Sequence, residues 1–455
     1  MRTLILSDVH LGNGRGYDIY AGGAELPELL DTWASRDTTV IFNGDTFDYL
    51  MNEDPLRLKV SRAEEQTRAI CRNRETAAVL RSVGKILAAG GQVVVRVGNH
   101  DIELAIPEVQ KVIQGALGQP RNVSSRLRFE LGEEPRIAQV NGARILVAHG
   151  EHSDQWNRID WNGLKKKPRL GRYTNFTYPA GSRLVKKLLN PLKKDFQMRF
   201  ADLLKPDFQG AAMAAIAVNP TAVKLVAQGT SLRILWQLFR TADDAFTFAD
   251  DEEDDGDLGL ADAVDQAGLT DDEIFALEEL LDPEAMFDFA EGDEDPNLKT
   301  AALKMARQGF QVYAKAQAKL AGDSGDKYFE LVPTDAEWTE AGRLAAKYRA
   351  QAVVLGHTHS ARFQKQGDLT YVNSGTWIHL MQLPPADAPE EDWLNFLRTL
   401  RRNPSLSQTQ GDTVPTLKRF TGVTLEPHPQ GGAKIALFEW SGGQSTVLSE
   451  AQVGA

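Results

Sequence analysis

The residues best suited to chemistry stand at the ends of apolar, β-type runs. Leu4-Ile5-Leu6-Ser7 leads into Asp8-Val9-His10, so a carboxylate and an imidazole lie two residues apart. Positions i and i+2 of an extended chain share a face, and both can converge on one point where the strand runs out. A hard oxygen beside a borderline nitrogen suits a divalent metal such as Mn, Fe or Zn. Further runs end in Asn43-Gly44-Asp45-Thr46-Phe47-Asp48, Gly98-Asn99-His100-Asp101, Ala148-His149-Gly150-Glu151 and Leu355-Gly356-His357-Thr358-His359. Any one of these could be an ordinary polar turn. Open α/β sheets, however, bind ligands beyond the carboxyl ends of their strands. Strand ends bearing Asp/His, Asp, Asn/His, His and His/His point together to one metal-binding locus.

The elements that must position these residues alternate between strand and helix. Residues 3–7, 39–42, 92–97, 125–131, 137–140 and 143–148 read as strands, the last two joined by the hairpin signal Asn141-Gly142. Leu26, Leu29, Leu30 and Trp33 have helical spacing, and one long helix is expected over 61–89, stopped by Gly90-Gly91. Strands resume at 352–355, 370–372, 420–425 and 433–440. This is an α/β layered core, assigned to 1–160 and 351–440. Residues 161–350 read as a mainly helical insertion, and 441–455 as a loose tail.

Composition bounds the rest. The chain has 455 residues and one cysteine, Cys71, so no intrachain disulfide can form. The N-terminus reads directly into a strand without a leader pattern, and the alanine-rich run 211–226 is broken by Asn219-Pro220 and Lys224. The expected location is cytoplasmic, with membrane association left open. The net charge of -12 is unevenly spread. Residues 241–297 hold 23 acidic groups and no Lys or Arg, whereas 164–205 hold twelve cations against two Asp. Helices are expected at 211–240, 270–281 and 298–320, and a solvated loop at 250–257.

The blocks D-x-H, G-D-x-x-D, G-N-H-D, H-G and G-H-x-H occur in order, and the chain resembles the calcineurin-like metallophosphoesterase superfamily over residues 2–154 and 350–377. Ser7-Asp8-Val9-His10-Leu11 and Gly44-Asp45-Thr46-Phe47-Asp48 are most similar to the UDP-2,3-diacylglucosamine pyrophosphatase group. That group typically has Arg where this chain has His100, and a much shorter insertion, so its lipid substrate is not carried over. The run His149-Gly150, Asp154, Asn157 resembles a broader set of bacterial phosphoesterases.

The resemblance implies a β-sandwich of two mixed sheets flanked by helices, with two metal ions at the sheet ends. Asp8, His10 and His359 would bind one ion, Asn99, His149 and His357 the other, and Asp45 would bridge them. His100 would lie beside the scissile phosphate. Two cations about 4 Å apart clamp a phosphoryl group and activate a water at neutral pH. A carboxylate can span two ions where imidazole cannot readily do so. Mn is the foremost candidate, with Fe, Zn, Ni or Co also accommodated by such ligands. Asp48 and Asp101 could orient histidines or loop amides, or simply cap loops. His152 could touch substrate or be an ordinary surface histidine.

The insertion is expected to cap the site and select the substrate. Arg158, Lys165, Lys166 and Arg172 follow His149 closely enough to reach a phosphate. The basic run would suit an anionic membrane or lipid headgroup. It would equally suit a nucleic-acid backbone with Tyr173, Phe176 and Tyr178 stacking, or the chain's own acidic segment. Three function classes follow. The favoured one is a metal-dependent hydrolase of phosphomonoesters, phosphodiesters or pyrophosphates, on a small or lipid-linked substrate. The others are a DNA or RNA nuclease using the same centre, and a non-catalytic scaffold, for which the complete ligand set would be unnecessary.

Overall fold

A computed structural model describes residues 2–53, 55–154, 157–195, 197–205, 329–382, 384, 388–405 and 416–454. The acidic segment 241–297 and the helices expected at 211–240, 270–281 and 298–320 lie outside these residues. The chain divides into one unit of Met1–Lys186, Phe329–His379 and Lys418–Ala455, and another of Lys187–Tyr328 and Leu380–Leu417.

The strands are β1 (Arg2–Leu6), β2 (Thr38–Asn43), β3 (Gln92–Arg96), β4 (Arg128–Glu130), β5 (Arg136–Val140), β6 (Ala143–Val147), β7 (Leu204–Lys205) and β8 (Ala352–Leu355). They continue with β9 (Ala361–Gln366), β10 (Leu369–Ser374), β11 (His379–Gln382), β12 (Leu417–Lys418), β13 (Phe420–Pro427), β14 (Ala433–Ser441) and β15 (Gln444–Val453). In the first unit a seven-stranded sheet has the order β15-β14-β13-β1-β2-β3-β4, and a five-stranded sheet the order β5-β6-β8-β10-β9. Both are mixed. β1 runs parallel to β2 and antiparallel to β13, while β8 runs parallel to β6 and β10.

Strand alternation builds the layers. Ile5, Ile41, Val423, Leu425, Ile435 and Leu437 pack with Ile145, Val147, Val354 and Val372 in one cluster shared by the two sheets. The alternate residues Leu4, Leu6, Val40, Phe42, Val93 and Val95 face helices Glu25–Thr32, Val60–Arg72, Arg74–Ala88 and Pro107–Ala116. On the five-stranded sheet, Leu146, Val353, Leu355 and Tyr371 pack with Ala341, Leu344 and Ala345 of helix Asp335–Tyr348. The result is a two-sheet β-sandwich with helices on both outer faces, since the central strands β1, β2, β3, β6, β8 and β10 bury both of their alternating sets.

Several elements differ from the sequence reading. The long helix over 61–89 is two helices, Val60–Arg72 and Arg74–Ala88. Asn73 separates them with extended ψ, accepts a hydrogen bond from Glu75 N, and donates to Gly12 O at 3.0 Å. Residues 441–455 are not a loose tail: β15 pairs along β14 from Ser441↔Gln444 to Ala433↔Val453. Residues 335–348, assigned to the insertion, form a core helix with a complete Thr334/Glu337 capping box. Cys71 is buried, and burial pushes its thiol up to about 12, which makes it inert.

In the second unit, β7 and β11 pair in parallel with Met381 opposite Leu204. Leu192, Phe200, Leu397 and Leu400 are buried there. No described helix is long and apolar enough to cross a membrane.

Candidate metal centre

Each ligand-type residue follows directly from a strand of the sandwich. Asp8 and His10 follow β1, Asp45 follows β2, and Asn99 and His100 follow β3. His149 follows β6, while His357 and His359 follow β8. At these positions the chain leaves extended geometry abruptly. Asp8, His10, Asp45, His357 and His359 have φ of 52°, 56°, 50°, 70° and 60°. Left-handed backbone costs a non-glycine residue of order 1–3 kcal/mol where surroundings enforce it. Here the loops brace one another. Asp8 N donates to Gly44 O at 3.2 Å, His10 N to Asp45 O at 2.9 Å, and Asp48 N to Leu11 O at 2.9 Å. His357 N donates to Asp8 Oδ2 at 2.9 Å. Glycine is required at Gly98, where a Cβ would stand 2.3 Å from Asp45 Oδ1.

Three clusters of ligand-type residues result among the described residues. Asp8, His10 and His359 form one, Asp45, His149 and His357 a second, and His10, Asp48 and His100 a third that shares His10 with the first, each with its ligand atoms within 4.8 Å of one another. In the first, His10 Nδ1 donates to Asp48 Oδ2 at 2.9 Å. That leaves His10 Nε2 facing His359 Nε2 at 3.2 Å, with Asp8 Oδ1 3.3 Å from the same His359 nitrogen. In the second, His149 Nδ1 donates to Asn43 O at 2.9 Å, so its Nε2 faces Asp45 Oδ2 at 3.2 Å and Asn99 Oδ1 at 3.3 Å. Asp8 Oδ1 is buried without a hydrogen-bond partner. A buried carboxylate oxygen among imidazole nitrogens fits a divalent cation of intermediate softness.

Electrostatics agree with the geometry. Burial works to raise the Asp8 carboxyl, but His359 and His149 outweigh it and hold it well below the usual range. Asp45 is likewise lowered, against burial, by His149 and His100. Burial alone would lower the histidines, yet Asp48 and Asp45 carry His100 up to about 9, and Asp45 carries His149 up to about 10. A site that attracts protons this strongly offers the same lone pairs to a metal cation.

Asp48 positions two rings. Besides His10, its Oδ1 lies 3.3 Å from His100 Nδ1 and accepts from Leu50 N and Met51 N at 3.0 and 2.8 Å. Asp101 instead ties loops together. It accepts from Thr46 N at 2.7 Å, Phe47 N at 3.3 Å and Gly98 N at 2.6 Å, joining the ends of β2 and β3. Burial, with Asp45 nearby, pushes Asp101 up to about 8 despite those donors.

The residues expected to touch substrate are placed differently from the ligand set. Lys165 pairs with Glu133, His152 Nε2 with Glu340 at 3.2 Å, and Arg158 Nε donates to His152 O at 3.2 Å. Lys166 and Arg172 are exposed. Spacing in the sequence marks Asp154 and Asn157 without giving their role, and the structure supplies one. Asp154 Oδ2 lies 2.9 Å from His357 Nε2 and accepts from Asn157 Nδ2 at 2.7 Å, while Asn99 Nδ2 lies 3.5 Å from Asn157 Oδ1. One short segment thus reaches two of the ligand-type side chains.

The sequence model of the family described as calcineurin-like phosphoesterase matches residues 1–221. No curated protein resembles the chain closely enough to count as a match. Among solved structures, a Vps29 double mutant from Entamoeba histolytica is similar at 12% identity and a TM-score of 0.16, over 28% of this chain and 52% of that one. The chain therefore spans about half the length of that protein.

Proposed function

We propose that this chain, whose residues 1–221 match the calcineurin-like phosphoesterase family, is a metal-dependent hydrolase of phosphate esters whose strand ends hold two divalent ions, Mn foremost. Asp8, His10 and His359 would hold one, Asn99, His149 and His357 would hold the other, and Asp45 would serve both. The observation that carries this reading is the pair of ligand groups drawn from four strand ends, those of β1, β2, β6 and β8. When bound, the ions supply a clamp on the phosphoryl oxygens and a more acidic water.

The chain's own residues do the rest. Asp48 fixes His10 through Nδ1, so that only Nε2 points inward. It also lies against His100 Nδ1, and the His100 ring stands edge-on to His10 with centroids 4.7 Å apart. With Nδ1 turned to Asp48, His100 presents Nε2 to an incoming ester and can donate to the phosphate or the leaving oxygen. Asn99 contributes a neutral oxygen, which limits the negative charge facing an anionic substrate.

The proposed substrates are a phosphomonoester, phosphodiester or pyrophosphate on a small or lipid-linked molecule. A panel of bis-p-nitrophenyl phosphate, DNA, RNA and UDP- or lipid-linked diphosphates, each with Mn, tests the class. Replacing Asp45→Asn is expected to abolish turnover with the fold intact by circular dichroism. Full activity in that variant would sink the two-ion centre.

A further inference from the structure

Residues 165–173 form a basic hairpin with an aliphatic tip. Arg169 N donates to Arg172 O at 2.8 Å and Arg172 N to Arg169 O at 2.9 Å, around Leu170 and Gly171 with φ of 48° and 72°. Two left-handed residues in a two-residue loop make a tight turn matched to strand twist. The hairpin is braced from beneath: Val60 N donates to Gly171 O at 2.9 Å and Tyr173 N to Leu58 O at 3.1 Å.

Leu170 is 99% exposed, while the other exposed large hydrophobics among the described residues reach at most 61%. The same residue carries left-handed backbone, a conformation that Gly or Asn would adopt at less cost. Stability therefore gives no reason for leucine here. Lys166, Lys167 and Arg169 precede it in the hairpin, Arg172 follows it, and Lys59 pairs with Arg172 across an antiparallel bridge, all exposed. Among the described residues, none of these five has an ion pair or side-chain hydrogen bond.

We propose that this hairpin docks the protein on an anionic lipid surface. Leu170 enters the acyl boundary, and Lys166, Lys167 and Arg169 meet the headgroup phosphates, the combination that holds peripheral proteins at membranes. A nucleic acid would call for stacking rings. The aromatic residues nearby are committed elsewhere. Tyr173, Phe176 and Tyr178 pack on the core, Phe176 and Tyr178 stand edge-to-face at 5.0 Å, and Tyr178 Oη donates to Glu103 at 3.3 Å. The tip presents an aliphatic side chain, which suits lipid.

The test uses the full chain in co-sedimentation with phosphatidylcholine vesicles, with and without about 30 mol % phosphatidylglycerol. Binding is expected only with the anionic lipid and is expected to weaken in high salt. Leu170→Asp should lower partitioning roughly tenfold or more, and Leu170→Trp should raise it with a blue-shifted emission. Lys166→Ser/Lys167→Ser/Arg169→Ser should lower it by roughly a hundredfold. The Leu170 variants should hydrolyse bis-p-nitrophenyl phosphate as the parent does, so this result is independent of the proposed substrate. The proposal is overturned if anionic vesicles bind no better than neutral ones, or if Leu170→Asp binds undiminished. It is also overturned if an RNA oligonucleotide is retained more tightly than vesicles in a way that depends on the cations but not on Leu170.

Discussion

Asp154 shows how a residue outside the ligand groups can govern them. Its carboxylate holds His357 through Nε2 and Asn157 through Nδ2, and Asn157 lies next to the Asn99 amide. Partners of this kind fix the ring orientation of a ligating histidine, and losing one commonly costs about 10–100-fold in metal affinity. Asp154→Ala is expected to weaken metal binding by that factor, measured by titrating metal-stripped protein, with circular dichroism unchanged; unaltered affinity would remove this role. Glu103 shows a different consequence of burial. Burial raises its pKa from 4.5 to about 7, although the Tyr178 hydroxyl opposes the shift. The folded chain then keeps a proton that the unfolded chain has shed, so stability falls as pH rises from about 4.5 to 7, and the full cost persists above 7. Glu103→Gln should leave stability near its parent value at pH 4 and raise it by of order 2–3 kcal/mol at pH 8. Denaturant midpoints at the two pH values check this; a gain of equal size at both would contradict it.

At the scale of elements, the sequence was readable wherever one residue type has one physical use. Apolar β runs that stop at Asp or His mark β1, β2, β3, β6 and β8, and each lies within a residue or two of its expected bounds. The break at Asn73 was not readable from periodicity. The helices on either side keep an apolar face across it, with Ile70 and Val79 both in one core cluster. Only the fold reveals that Asn73 is needed to bond Gly12 O beside the metal loops. β15 was missed for a related reason. Its exposed, largely polar residues 444–447 resemble a tail, and its place in the sheet depends on β14 pairing with it. The left-handed ligands were hidden in a third way. Asp and His carry no conformational signal as strong as glycine's, and their φ values are set by the bracing between neighbouring loops. Legibility therefore tracked side-chain chemistry closely and backbone geometry poorly.

For the molecule as a whole, the decisive fact is that neither of the two proposed ion sites is furnished by one sheet alone. Asp8, His10, Asp45 and Asn99 come from the seven-stranded sheet, and His149, His357 and His359 from the five-stranded one. His10 and His359 face each other at 3.2 Å across 349 residues of chain. Loop-closure cost grows only slowly with length, so a long segment between the two halves does not prevent their meeting. The sheets already share an apolar interface, and a bound ion would add a link between them at the strand ends. Unfolding would separate those ligands, so metal binding should be coupled to the stability of this unit. Free metal at about 100 times its dissociation constant adds about 2.7 kcal/mol, and for a unit of this size each kcal/mol moves Tm by roughly 2–4 °C. Adding Mn to metal-stripped protein should therefore raise the melting temperature by roughly 5–10 °C, and Asp45→Asn should erase most of that rise because it weakens the one side chain proposed to serve both ions. A melting temperature unmoved by Mn, in protein shown by elemental analysis to have bound it, would mean that the ions do not join the two sheets.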